Sequence, residues 1–106
     1  MRSKKMNDEL VEKNYEILDH YGIEDQIIIW IEEMSELTKE LCKWKRNFQK
    51  GELKLFDLCN MEFETTDVQI CIDQLKKAIN YTMEHQQENY KVKVERQLKR
   101  IENEKL

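Results

Sequence analysis

Carboxylates are the side chains of this sequence best placed to do chemistry, and they come in two spaced groups. In "IEEMSEL", Glu33 and Glu36 stand three residues apart and Glu32 and Glu36 four apart. On a helix all three fall within an arc of about 100° on one flank. In "EFETTDVQICIDQL", residues 62–75, Glu64 and Asp67 repeat the three-residue spacing. There Val68, Cys71, Ile72, Leu75, Ala78 and Ile79 form an apolar helical stripe; Glu64 projects onto its line and Asp67 borders it. Surface acids such as Glu12, Glu16 or Glu40 are ordinary in a chain with 22 acidic residues. An acid on the face a helix needs to bury is not. One unpaired buried carboxylate costs several kcal/mol, and crowding four together adds mutual repulsion.

Such a cluster calls for a counter-charge, either a lysine or arginine network or a divalent cation. Carboxylates on facing helices of a bundle are a recurrent way to build a metal site, which favours the cation. A di-iron bundle would need Glu-x-x-His, and the histidines, His20 and His85, do not stand three residues after a glutamate. An all-oxygen donor set favours a hard ion, Mg²⁺ with Mn²⁺ as the alternative. Mg²⁺ binds few protein carboxylates together with substrate phosphates, so four acids suggest more than one ion once substrate is present. The chemistry this implies is attack of water on a phosphoanhydride.

Four helical segments must position these acids. The first spans about 7–21, with Asn7 or Asp8 as cap, Leu10, Val11, Ile17 and Leu18 as its stripe, and Gly22 as its stop. The second spans about 25–48 and carries Ile23, Ile27, Trp30, Ile31, Met34, Leu37 and Leu41 along one side. Its "QIIIWIEE" is apolar nearly all round, which predicts cover on more than one side. A connector over about 49–60 leads to Asn60 as expected N-cap of a third helix over 61–80. The fourth, about 81–101, shows Met83, Tyr90, Val94, Leu98 and Ile101 at coiled-coil-like spacing, with "NYT" as the break before it.

The chain's 106 residues suit one domain, 1–106, whose core is modest enough to want help from a second copy. No proline, two glycines and 38% charged residues leave all-α as the fold class, a four-helix bundle completed by oligomerisation. A net charge of −4 argues against nucleic-acid binding, although 91–105 holds six basic residues against three acidic ones. Cys42, Cys59 and Cys71, odd in number and without a Cys-x-x-Cys pair, read as buried thiols in a reducing compartment. The opening "MRSKKMNDEL" lacks the apolar run of a signal peptide, and "IIIWI" is too short to span a bilayer. The expectation is a cytoplasmic protein with no membrane contact.

With "EEMSE" at 32–36 and "ETTD" at 64–67, separated by 27 residues, the sequence resembles the MazG-like all-α nucleoside triphosphate pyrophosphohydrolases. "DVQICIDQLK" and the basic close "KVERQLKRI" are similar to short single-domain members, some phage-encoded, and the likeness covers roughly 21–101. Phe63 departs from it, standing where many relatives carry a second acid. The resemblance implies hydrolysis of a nucleoside triphosphate between the α and β phosphorus atoms, giving monophosphate and pyrophosphate. It implies Glu33, Glu36, Glu64 and Asp67 as metal ligands, with Glu32 orienting the attacking water or making an outer-shell contact. It also implies a homodimer or dimer of dimers, and places Lys93 and Arg96 against the phosphates. Lys39, Lys43 and Arg46 are weaker candidates for that role. For the base, Trp30, Trp44 and Phe48 lie near the acidic helix, although a Trp among isoleucines is more often core. Two rival readings remain: a nucleotide- or protein-binding bundle without turnover, and a structural coiled coil built on the last helix.

Overall fold

The computed structural model describes residues 8–106 and contains helices α1 (Asp8–Tyr21), α2 (Ile23–Lys50), α3 (Leu55–Ala78) and α4 (Met83–Glu104). The all-helical class follows the sequence, and no strand occurs among the described residues. Asn7, one of the two proposed caps of the first helix, lies outside them.

The joints explain where each helix stops. Gly22 takes φ +85°, a conformation that L side chains rarely adopt, and so lets α1 turn directly into α2. Gly51 closes α2 in the left-handed region at φ +69°, and the Glu52 amide donates back to the Asn47 carbonyl at 2.8 Å. At the end of α3 the left-handed residue is Asn80, φ +56°, with the Tyr81 amide donating to the Lys76 carbonyl at 2.8 Å. Thr82 then caps α4 by accepting the His85 amide at 3.2 Å. The "NYT" break therefore falls where the sequence put it.

The connector before α3 is shorter than expected and Asn60 is not a cap. It lies inside α3, which begins five residues earlier because Asp57 performs the capping: its carboxylate accepts the Lys54 backbone N–H at 3.0 Å. The patch Leu55, Phe56 and Leu58 becomes the first turn of α3 rather than a loop.

α2 and α3 form the principal pair and run antiparallel, while α1 folds back onto α3. Among the described residues Leu18, Trp30 and Cys71 are the buried apolar ones, one from each of these helices, with Leu75 and Ala78 packed against them. The predicted cover around "QIIIWIEE" is not supplied by the described residues: Ile27, Ile28, Ile29 and Ile31 are all exposed. Three helices give α2 one packed seam, and nothing described here lies on its far side. The cysteines also differ from expectation. Cys71 is buried, but Cys42 and Cys59 are exposed, because they fall off the α2–α3 seam.

α4 packs against none of the other helices. It is tied to α3 by the Lys76 ammonium donating to Gln86 Oε1 at 2.7 Å, and Met83, Tyr90, Val94, Leu98 and Ile101 are exposed. The radius of gyration is 17.4 Å, well above the about 13 Å usual for a compact chain of this length. No helix of the described residues is long and apolar enough to cross a membrane.

Candidate functional site

The antiparallel pairing of α2 and α3 brings Glu33 to Glu64 and Asp67, with one carboxylate oxygen from each within 4.8 Å of the others. Glu33 and Glu64 are half-buried and Asp67 is exposed. Glu64 Oε2 is buried and has no hydrogen-bond partner. Among the described residues no lysine or arginine forms an ion pair with any of the three. The cluster is thus an uncompensated concentration of negative charge between two packed helices.

Its electrostatics follow from that position. Burial, reinforced by Asp67, Glu64, Glu36 and Glu32, raises the Glu33 carboxyl above its ordinary value. Burial, then Asp67, Glu36 and Glu40, does the same to Glu64. One turn further along α3 the Cys71 thiol is pushed up by burial and by the charges of Glu33 and Asp67. Each group is held toward its proton, the expected response when negative charge lacks a cation.

The other candidates fall at different distances from this centre. Glu36 contributes to the local field, but its carboxylate is exposed and paired with the Lys39 ammonium at 3.3 Å. Glu32 is exposed and outside the three-acid group. Lys93 and Arg96 lie on α4, exposed and away from the α2–α3 seam, so one chain does not bring them to the acids. Trp30 is core: it is 5% exposed and its indole N–H is engaged, leaving no face for a nucleobase. Trp44 and Phe48 stack on each other with centroids 5.8 Å apart, and the half-buried Trp44 has an indole N–H with no partner.

A cleft of about 190 Å³ adjoins the acids, lined by Ile17, Ile29 and Ile70 on its apolar side and by Gln26, Gln74, Glu33, Asp67 and Cys71 on the other. Its floor holds residues that an apolar-stripe reading passes over. Gln74 is 2% exposed, and its Oε1 accepts from Gln26 Nε2 at 2.9 Å and from Trp30 Nε1 at 2.7 Å. Its Nε2 donates to Asn14 Oδ1 at 2.8 Å, and Asn14 Nδ2 donates to the Ile70 carbonyl at 3.1 Å. The signal that could have found them is a glutamine in register with the seam: Gln26 precedes Trp30 by four residues and Glu33 by seven.

An all-oxygen set from two helices, one oxygen buried and unpartnered, has the donor chemistry to hold a hard cation. The chain matches no family profile, no curated protein and no solved structure.

Proposed function

We propose that this chain is a Mg²⁺-dependent nucleoside triphosphate pyrophosphohydrolase acting as a homo-oligomer. The observation that carries the reading is the buried, unpartnered Glu64 Oε2 inside a three-carboxylate group drawn from the two motif-bearing helices. Burying such charge without compensation is costly, and function is the commonest reason for a fold to retain it. The order and spacing of "EEMSE" and "ETTD" add the resemblance to MazG-like enzymes.

In this reading Glu33, Glu64 and Asp67 would hold Mg²⁺, and Glu36 would be the fourth ligand if it gave up its surface pairing with Lys39. Mn²⁺ would fit the same oxygens. When bound, the ion supplies positive charge against the triphosphate oxygens and polarises the attacking water. Glu32, on the neighbouring flank of α2, orients that water by accepting a proton of it in a hydrogen bond. Ile17, Ile29 and Ile70 line the cleft beside the carboxylates but are exposed, so bulk water leaves the site and charge interactions strengthen only when association covers them. Lys93 and Arg96 bind the outer phosphates once association of chains covers the exposed faces of α2 and α4. Ile27, Ile31 and Met34 on one and Tyr90, Val94 and Leu98 on the other provide the apolar area for that association.

The test is a panel of ribo- and deoxyribonucleoside triphosphates with Mg²⁺, read for pyrophosphate against orthophosphate. Release of pyrophosphate and monophosphate from at least one substrate is expected, and Glu64→Gln should remove it while keeping the helical content. Binding of a non-hydrolysable triphosphate without turnover of any substrate would replace the enzyme by a nucleotide-binding bundle. Silence in both assays would leave the structural reading.

A further inference from the structure

The seam that carries the acids is poorly specified by its apolar residues. Only Leu18, Trp30 and Cys71 form the buried apolar cluster among the described residues. With so few knobs, apolar contacts alone discriminate weakly against sliding by a turn, Trp30 being the one large side chain among them. Sliding is also what the acids favour, because Glu33 repels both Glu64 and Asp67 across the pair. Something must hold the helices in the one register that crowds these groups together.

We propose that Gln74 is the positioning residue of the acidic site, fixing the register of α2 against α3 through its bonds to Gln26, Trp30 and Asn14. The geometry is direct. Gln26 lies seven residues before Glu33 on α2, and Gln74 lies seven residues after Asp67 on α3. The amide clamp and the carboxylates are therefore the same two turns apart on both antiparallel helices, and pairing Gln26 with Gln74 sets Glu33 opposite Asp67. A one-turn slip would leave at least one of two buried donors, the Gln26 amide and the Trp30 indole N–H, without an acceptor, since the two stand a turn apart on α2 and share Gln74 Oε1. Buried polar groups are penalised for such a loss in a way apolar side chains are not, so they select register where apolar contacts only supply adhesion. Asn14 extends the clamp to α1 and anchors it on the Ile70 carbonyl, one turn from both Asp67 and Gln74. The role assigned to Gln74 at a metal centre rests on the function proposed above; the register claim does not.

The test separates adhesion from register. In the full chain, Asn14→Leu/Gln26→Leu/Trp30→Phe/Gln74→Leu replaces the whole network by apolar groups, a change that is often neutral or stabilising when no polar partner is left behind. Register is read in a Cys42→Ser/Cys59→Ser/Cys71→Ala background carrying Ile29→Cys and Ile70→Cys, two cleft positions on facing helices, with a short bifunctional thiol reagent. Metal binding is read with Mn²⁺ alone by its paramagnetic resonance signal, using the chain with its own cleft residues. The expected result is an unfolding midpoint no lower than that of Trp30→Phe alone, a lower yield of the cross-link, and Mn²⁺ affinity weakened about tenfold or more, the usual loss when a support behind metal ligands is removed. Trp30→Phe alone keeps the Gln26 and Asn14 bonds of Gln74 and should retain both the cross-link and the affinity. Should the fourfold variant not fold, Gln74→Met is read in the same two assays. An undiminished cross-link yield in the network-less protein overturns the proposal. If the parent chain binds no Mn²⁺, the metal reading fails, and the cross-link still decides the register.

Discussion

The α2–α3 pair and α4 are both charge-rich amphipathic helical elements, yet among the described residues the pair encloses a site while α4 is held by two side-chain hydrogen bonds, Lys76 to Gln86 and Asn89 to the Tyr81 hydroxyl. In α2 and α3 the polar residues on the seam, Gln26, Gln74, Glu33 and Glu64, find either each other or an unresolved excess of charge. In α4 the stripe of Tyr90, Val94, Leu98 and Ile101 is cleanly apolar and stays exposed. The cleaner helix is the less engaged one. Amphipathicity therefore tells that a helix has a face to cover, while the polar exceptions on a face tell what covers it and in which register.

The comparison can be broken first at the acids. Glu64→Gln should lower hydrolysis by more than about 100-fold, beyond the loss usual for outer-shell changes, while circular dichroism stays helical; full activity would detach the cluster from any chemistry. The second contrast concerns α4. Val94→Glu with Leu98→Glu should abolish the self-association proposed above, read by sedimentation, while in a Trp44→Phe background the fluorescence of Trp30, which reports the α2–α3 core, stays unshifted. A shifted Trp30 spectrum would mean that α4 supports the core after all. Third, Mg²⁺ at about 100 times its dissociation constant should stabilise the fold by about 2.7 kcal/mol, and Glu64→Gln should erase most of the rise in thermal midpoint.

The smallest effect is one of pH. Burial and neighbouring charge hold Glu33 and Glu64 above the ordinary carboxylate value of 4.5, so the folded chain keeps their protons more firmly than the unfolded one. Their contribution to stability is full below that value and is lost as pH rises through the raised folded values. Without divalent ions, the thermal midpoint of the parent should fall more than that of Glu64→Gln between about pH 5 and 7. Mg²⁺ should shrink the difference, since it competes with protons for the same oxygens. Equal slopes with and without the substitution would place Glu64 outside the charged cluster.

Much of this architecture is legible in the sequence, for reasons that are local. The helical class, the Gly22 stop and the turn at Asn80–Thr82 follow from backbone preferences of single residues. The two acidic half-motifs were placed on helices by spacing alone, and Glu33, Glu64 and Asp67 do meet. What was not legible depends on pairing between helices. Asn60 looked like a cap because Lys54 offers no side-chain acceptor; the acceptor is Asp57, a residue inside the helix it caps. Gln26 and Gln74 were passed over because a polar residue on a seam is visible only when its partner is known. Glu36 and Trp30 were placed correctly on their helix, but one turns outward to Lys39 and the other inward to Gln74, a choice that periodicity does not make.

The joint at Asn80–Thr82 has a mechanical consequence. Among the described residues α4 is carried on a few backbone torsions and two side-chain struts, Lys76 to Gln86 and Asn89 to the Tyr81 hydroxyl, with its far end about 30 Å from the pivot. A rotation of about 20° there would sweep Ile101 through roughly 10 Å. With no other helix packed on the arm, whatever seats Tyr90, Val94 and Leu98 decides where the basic residues between them are delivered.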